Sequence, residues 1–254
     1  MRFKNMILFI CTIFMFHYYG GLVKSENNIT NIYLEYIKKG EYEKAITGLS
    51  DAISNDPENI ELYELLAKAY LMKEDYDKAI VEAQMILSKN PQNIEARNIL
   101  VISYFYKGQY SKTIEEGEKI LKIDSNKADA YRMIGNSYYA MGELDKTIKN
   151  FKKVLEIEPN DISTMNNLSI VYLKKGDIAT ALSISLKSLK LDSSNSTTFY
   201  NLSRIYSKKG DFAEAIKYLR KAIRQNGELK EDAKNEVDFE TIKDLQEFKE
   251  LIYR

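Results

Sequence analysis

Residues 128–161 read ADAYRMIGNSYYAMGELDKTIKNFKKVLEIEPND, and this stretch decides the fold. In its first half, three large residues share one face of an amphipathic helix: Tyr131, Ile134 and Tyr138. Gly142 interrupts this face, because glycine accepts the left-handed backbone that ends a helix. An apolar helical stripe resumes over 144–155, and Pro159 ends it, since proline has no N–H to donate. The stretch therefore predicts a helix, a tight turn, a second helix and a stop.

The same design recurs along the chain every 34 residues. One position is always tyrosine: Tyr36, Tyr70, Tyr104, Tyr138, Tyr172 and Tyr206. The prolines share a second phase, and five glycines share a third: Gly40, Gly108, Gly142, Gly176 and Gly210. A fixed period of this length indicates one helix–turn–helix unit copied in tandem, in which each copy buries its apolar face against its neighbours. The repeated tyrosines are therefore predicted to be core residues.

Seven features of 128–161 follow one order: Tyr131, Ile134-Gly135, Tyr138, Gly142, Thr147, Phe151 and Pro159. In this order the stretch resembles the tetratricopeptide repeat, or TPR. The resemblance implies an all-α fold, a right-handed α-solenoid of helix–turn–helix units with a C-terminal capping helix. Its phase places six repeats at 26–59, 60–93, 94–127, 128–161, 162–195 and 196–229.

Some positions depart from the family pattern. Tyr33 in repeat one and Val101 in repeat three replace a small residue between the two helices, which predicts a wider separation there. Ser185 and Ser188 occupy two usually packed positions of repeat five. We expect repeat five to be the least stable internal unit, because each unit of a stacked array has its own local stability.

Two segments lie outside the repeats. Residues 1–25 begin with basic residues and continue with an apolar run, which predicts a secretory signal peptide. The alternative is a retained membrane anchor formed by residues 6–23, so the protein is expected to be extracytoplasmic or membrane-anchored. The tail, 230–254, carries apolar residues at spacings of three that predict a capping helix: Phe239, Ile242, Leu245, Phe248 and Leu251.

Composition excludes several function classes. The single histidine, His17, and the single cysteine, Cys11, both lie in the predicted targeting segment, and the chain has no tryptophan. A processed chain would therefore lack histidine bases, cysteine nucleophiles and imidazole or thiolate metal ligands, so no metal, cofactor or enzymatic activity is expected. The 37 basic residues are balanced by 37 acidic ones, which disfavours binding to nucleic acid.

In TPR proteins the first helix of each repeat lines a concave groove, and the resemblance implies a peptide-binding groove here. The candidate residues are Glu64, Lys68, Met72, Asn98, Phe105, Tyr106, Arg132, Asn136, Tyr139, Asn167, Asn201 and Arg204. Their aromatic and methionine side chains would form an apolar floor, and their amides would bind a peptide backbone. The alternative is that some of these aromatic residues only pack between helices.

These observations predict a non-catalytic scaffold for a protein or peptide partner. The alternative is a structural spacer in a cell-envelope assembly, with contacts through Phe239, Leu245 or the convex face. A co-chaperone and an enzyme are two more distant alternatives. Arg132, Asn136 and Asn167 resemble part of a carboxylate clamp, but Thr197 and Asn201 stand where that clamp needs basic residues. The sequence does not indicate the oligomeric state.

Overall fold

The computed structural model describes residues 28–253, and every regular element in that range is helical. The first helices in the chain are α1 (Asn28–Lys38), α2 (Tyr42–Asn55), α3 (Ile60–Met72), α4 (Tyr76–Lys89), α5 (Ile94–Tyr106), α6 (Tyr110–Ile123) and α7 (Ala128–Ala140). They are followed by α8 (Leu144–Ile157), α9 (Ile162–Lys174), α10 (Ile178–Leu191), α11 (Ser196–Lys209), α12 (Phe212–Gln225), α13 (Leu229–Lys234), a 3-10 helix (Val237–Phe239) and α14 (Gln246–Tyr253).

The predicted signal peptide or anchor lies outside the described residues. Among the helices between 28 and 253, none combines the length and the apolar character that crossing a bilayer requires.

A left-handed residue separates the two helices of each pair, as the glycine phase predicted. Gly142, with φ of 80°, follows α7 in this way. In the copy without a glycine, Glu74 takes the same conformation with φ of 65°. A side chain makes this conformation unfavourable by about 1 kcal/mol, which explains why glycine fills most of these turns.

The helices form two compact units, divided after Gly142. In the first unit, the odd-numbered helices α1, α3, α5 and α7 contact one another in sequence, and α2, α4 and α6 each contact the odd-numbered helices before and after them. The second unit has the same arrangement: α9 contacts α11, and α10 packs between them. Within each unit, the odd-numbered helices therefore make one layer and the even-numbered helices the other.

Five of the six tyrosines of the 34-residue ladder lie in or against buried apolar clusters, and Tyr138 is half-buried. Tyr104 is buried, and Tyr36, Tyr70 and Tyr206 pack at the edges of buried apolar clusters. Lysine ammonium groups cover several of their rings; the Nζ of Lys112 lies 5.1 Å from the centre of the Tyr104 ring. The lysines thus shield ring surface that the helix pairs leave open.

A glycine accommodates the unusual Tyr33. A Cβ added at Gly48 of α2 would lie 2.4 Å from Cε1 of Tyr33, well inside van der Waals contact. The missing side chain at Gly48 therefore makes room for the ring on α1. Where the two helices of repeat one meet, α1 carries the large side chain and α2 carries the glycine.

The carboxyl-terminal tail packs on the last full helix pair, but it is not a single helix. The 3-10 helix contacts α11, and both α13 and α14 contact α12. Phe239, Ile242 and Phe248 are fully buried there, while Leu245 and Leu251 are partly buried. The helical path ends at Lys234, and at the start of the 3-10 helix the carboxylate of Glu236 accepts a hydrogen bond from the backbone N–H of Asp238.

The tail also keeps the phase of the repeats. Helix α14 begins at Gln246, which lies 34 residues after Phe212, where α12 begins. Helix α13 and the 3-10 helix occupy the stretch in which each repeat forms its first helix. The cap is therefore built as a shortened and irregular seventh helix pair.

Candidate functional site

In the first unit, a stripe of side chains runs along α3. Glu64, Lys68 and Met72 are spaced by four residues and therefore share one face of the helix. Glu64 and Met72 are half-buried, and Lys68 is buried. The Oε1 atom of Glu64 accepts a hydrogen bond of 2.7 Å from Nδ2 of Asn93, at the start of α5.

Helix α5 ends with two aromatic residues, Phe105 and Tyr106, which form the aromatic pair of this helix. Tyr106 is half-buried, and its ring stacks on Tyr76 with the centres 5.3 Å apart and an interplanar angle of 2°. Phe105 corrects a prediction: it is only 4% exposed and belongs to the core, where its ring meets the edge of Tyr110. The apolar part of this face therefore rests on Met72 and Tyr106, not on Phe105.

Polar residues dominate the corresponding face of α7. Arg132 is buried and forms an ion pair with Asp129, one turn earlier on the same helix. Asn136 is also buried, whereas Tyr139 is half-buried. On α5, Asn98 is half-buried. The candidate residues of the first unit thus differ widely in how much surface they offer.

In the second unit, one of the two side-chain amides predicted for the groove forms a hydrogen bond inside the protein and the other does not. Asn201 is buried and donates from Nδ2 to the carbonyl oxygen of Asn166, at 3.1 Å. The Oδ1 atom of Asn166 accepts from the hydroxyl groups of Ser188 and Thr198, at 3.2 and 3.0 Å. This polar network joins α9, α10 and α11. Asn167 is half-buried, and its Nδ2 atom has no hydrogen-bond partner among the described residues.

Arg204 is the second predicted groove residue that the structure corrects, because carboxylates of the tail bind its guanidinium. Its guanidinium donates to Oδ2 of Asp238 from Nε and Nη2, at 3.0 and 2.8 Å, and Glu236 lies 3.3 Å from Nε. Burial disfavours the charge, but Glu236 and Asp238 outweigh it and raise the pKa of Arg204. Arg204 is only 7% exposed, so it anchors the cap and is not an open groove residue.

The tail also determines the surroundings of Tyr200. The ring meets the edge of Phe239 with the centres 5.6 Å apart, and the hydroxyl oxygen has no hydrogen-bond partner within the described chain. Burial raises the pKa of the Tyr200 hydroxyl above its ordinary value. Because Phe239 is fully buried, a spacer could not use its side chain as an exposed contact.

The serines of repeat five differ in a way that a pair of variants can test. Ser188 belongs to the polar network, whereas the buried Oγ of Ser185 has no partner among the described residues. Ser185→Ala is expected to leave the free energy of unfolding unchanged or to raise it by about 1 kcal/mol, because an unsatisfied hydroxyl is removed. Ser188→Ala is expected to lower it by about 1–2 kcal/mol.

Urea unfolding followed by circular dichroism measures both changes. Thr47→Ala, at an exposed position of α2, serves as a control for substitution in the helical array. A larger loss for Ser185→Ala than for Ser188→Ala would contradict this assignment of the two hydroxyl groups.

Within residues 28–253, no three histidine, cysteine, aspartate or glutamate side chains gather in a group that could hold a metal ion. The buried charged residues Arg132 and Arg204 pair with carboxylates of the same unit. The Arg132 pair lies within α7, whereas the Arg204 pair joins α11 to the tail.

Comparisons with known proteins agree with this architecture. Three family models, each described as a tetratricopeptide repeat, match residues 36–100, 128–161 and 161–226. No curated protein sequence matches the chain.

Solved structures similar to the chain include MamA from Desulfovibrio magneticus RS-1, with a TM-score of 0.61 and 20% identity over 67% of this chain and 99% of that one. A further MamA structure has a TM-score of 0.60 and 23% identity, over 71% of this chain and 97% of that one. YrrB, a TPR protein with an unusual peptide-binding site, has a TM-score of 0.58 and 20% identity, over 70% of this chain and 92% of that one. At these identities the likeness concerns the fold.

The predicted fold class, an all-α solenoid of helix–turn–helix units, is thereby confirmed. TPR proteins are generally non-catalytic scaffolds that bind protein or peptide partners. On its repeats, its paired helices and its matches to the family models, the chain belongs to the tetratricopeptide repeat family.

Proposed function

We propose that this protein is a non-catalytic scaffold that binds an extended or helical segment of a partner protein on the odd-numbered helices of its first unit. The observation that carries the proposal is that the neighbouring helices α3 and α5, which contact each other, both carry half-buried apolar side chains at predicted groove positions. Met72 and Tyr106 are half-buried apolar side chains on these two helices, and Glu64 and Asn98 are half-buried polar side chains on the same two helices. Apolar anchors ringed by polar groups are typical of peptide-binding surfaces.

The proposal places the main binding surface in the first unit. In the second unit, Asn201 and Arg204 are engaged by Asn166 and by the tail, so they have less to offer a partner. The similarity to YrrB, whose structure shows a peptide-binding site, supports a peptide as the ligand class. Because Tyr106 already stacks on Tyr76, little side-chain entropy would be lost when a partner binds.

Selection of peptides tests this proposal. The purified protein is used to select from a displayed library of random dodecapeptides. We expect Met72→Ala combined with Tyr106→Ala to weaken the selected peptides at least about tenfold, because each side chain is an anchor worth roughly 1 kcal/mol or more. Circular dichroism and thermal unfolding of the double variant check that the helices remain folded.

The matched control is Val81→Ala combined with Met85→Ala, which changes two exposed apolar residues of the even-numbered helix α4. It should leave peptide binding unchanged. If the control abolished binding and the first pair did not, the contacts would lie on the outer layer, as the spacer alternative requires.

Export forms a separate part of the proposal. We propose that the mature protein works outside the cytoplasm or at a membrane surface, on the evidence of the basic and apolar pattern in residues 1–25. Cell fractionation followed by sequencing of the mature amino terminus tests it. A cytoplasmic protein that keeps Met1 would refute export.

A further inference from the structure

A series of ion pairs joins consecutive repeats at the turns that connect the two helices of each pair. Five of the six repeats carry a lysine directly before the left-handed turn residue. Three of these lysines pair with a carboxylate at the start of the second helix of the preceding repeat: Lys73 with Glu43 at 2.8 Å, Lys107 with Asp77 at 2.5 Å, and Lys175 with Asp145. Charged pairs are therefore the usual occupants of this position between repeats.

The series is interrupted between repeats three and four. Met141 stands at the lysine position and Ser111 at the carboxylate position, and this is the one junction between repeats at which both charges are missing. A third charge is lost at Gln109, because the residue before the second helix is aspartate or glutamate in each of the other five repeats. Three departures from the chain's own repeat pattern thus fall at one place.

An open depression, the turn depression, lies where the ion pair is missing. It has a volume of about 330 Å³ and belongs to the first unit. The residues that line it are Gly108, Gln109, Tyr110, Ser111, Lys112 and Met141. Met141 is 47% exposed and Tyr110 is half-buried. These two side chains leave apolar surface open to solvent at a position where other junctions hold charges.

Two polar groups at the turn depression are incompletely satisfied. The Oε1 atom of Gln109 is shielded and accepts no hydrogen bond within the described chain, although buried polar atoms are normally paired. Lys112 is exposed and forms no ion pair among residues 28–253, because Gln109 replaces the carboxylate that binds the equivalent lysine in repeats one, two and four. The nearby Glu115 is held by Lys119 at 2.7 Å. The turn depression therefore combines apolar surface, one free acceptor and one cation without a counter-charge.

We propose that the turn depression is a second docking site, occupied by an extended segment of a partner protein that carries an apolar residue close to an aspartate or glutamate. The apolar side chain packs between Tyr110 and Met141, and the carboxylate faces Lys112. A backbone N–H of the segment donates to Gln109 after a rotation of its side chain. This site lies at the turns and not on the odd-numbered helices, so it is additional to the proposed groove.

The chain's own most exposed apolar side chains do not match this chemistry. Val237 is 71% exposed, but it lies between two carboxylates that bind Arg204 and are not available to a second cation. Tyr253 is 65% exposed, and the ammonium of Lys234 lies over its ring, so it would bring a like charge towards Lys112. A partner protein, not a second copy, is therefore the proposed occupant.

Counter-selection tests the proposal. Displayed dodecapeptides are selected on the unaltered protein in the presence of an excess of a soluble double variant, Ser111→Asp with Met141→Lys, which restores the charge pair of the other junctions. The variant removes every peptide that binds elsewhere, including groove peptides. We expect the remaining peptides to share an apolar residue close to an aspartate or glutamate, and to bind the double variant at least about tenfold more weakly than the unaltered protein.

The double variant should melt no lower than the unaltered protein, because the same exposed pair occurs at three other junctions. If it does not fold, Met141→Ser takes its place and removes the apolar surface without adding charge. Lys112→Glu should replace the acidic preference by a basic one.

The matched control is Asp145→Ser with Lys175→Met, which deletes the equivalent pair of the second unit and should leave the affinity of the peptides unchanged. Met72→Ala with Tyr106→Ala should also leave it unchanged, and this separates the turn depression from the proposed groove.

Three results would count against the proposal. If no peptide survived the counter-selection, the docking site would be refuted, while groove peptides from the simple selection would keep the proposed function. Surviving peptides without an acidic residue, or with equal affinity for Lys112→Glu, would overturn the chemistry assigned to the occupant. A dimer of the free protein in sedimentation that the double variant abolishes would assign the surface to a second copy instead.

Discussion

Arg204→Met is expected to undock the carboxyl-terminal tail and to lower the free energy of unfolding of the second unit by about 3–5 kcal/mol. The substitution removes the cation that holds Asp238 and Glu236, whose side chains are 16% and 20% exposed. Two largely shielded carboxylates would then lose their guanidinium partner, and only the half-exposed Lys208 would remain near Asp238. Removing one partner of such a pair is the most unfavourable way to break it. The backbone oxygen of Asp238 would still accept from Ser207, at 2.6 Å. One hydrogen bond of that kind, worth about 1 kcal/mol, is too weak to compensate.

Urea unfolding and limited proteolysis measure this effect. The variant should show an early unfolding transition and rapid cleavage after residue 234, because a repeat array loses structure locally. Lys208→Met is the control: its ammonium lies 3.3 Å from Asp238, but its side chain is 43% exposed, so the loss should stay below about 1 kcal/mol. A triple variant that also carries Glu236→Gln and Asp238→Asn should recover part of the stability. Equal effects of the Arg204 and Lys208 variants would contradict the assignment of Arg204 as the anchor.

Most of the fold could be predicted from the sequence because its signals are local and repeated. Gly142 and Pro159 end helices by their own backbone chemistry, whatever surrounds them. The repeated tyrosines gave the period, and the period gave the antiparallel pairs. The tail was harder to predict. Its apolar spacing indicated a cap, but the 3-10 turn is formed by hydrogen bonds without a signal in the repeat pattern, among them the one from the N–H of Asp238 to the carboxylate of Glu236.

The candidate site could be predicted only in part, because exposure depends on what packs over a side chain. Phe105 and Tyr106 are neighbours on α5, and both fall at groove positions of the family. The structure buries Phe105 against Tyr110 and leaves Tyr106 half-buried on Tyr76. No sequence rule for the repeat anticipates this difference.

Side-chain contacts with residues outside the repeat pattern could not be predicted from the sequence either. Arg204 was assigned to the groove because its carboxylate partners lie in a tail without the family consensus. Electrostatic roles therefore needed the structure, whereas helix positions did not.

Phe239→Ala is expected to lower the free energy of unfolding of the second unit by about 3–5 kcal/mol, the range for removal of a buried aromatic ring. Phe239 is fully buried between the rings of Tyr200 and Phe248, with centre distances of 5.6 and 6.0 Å. The cavity would lie at the junction of the tail with α11, so little collapse of the surroundings could fill it. Urea unfolding of the purified variant, followed by circular dichroism, measures the loss.

Val237→Ala is the matched control, because this neighbouring side chain is 71% exposed and should change stability by less than about 0.5 kcal/mol. The pair also separates the two functional alternatives. If the tail is a cap, Phe239→Ala should weaken partner binding only as far as it unfolds the second unit, and Val237→Ala should not weaken it at all. If the tail is a docking edge of a spacer, Val237→Ala combined with Tyr253→Ala should disrupt the assembly while the fold stays intact, since both side chains are exposed. A Phe239→Ala variant as stable as the unaltered protein would refute the role of the tail as a seventh packed unit.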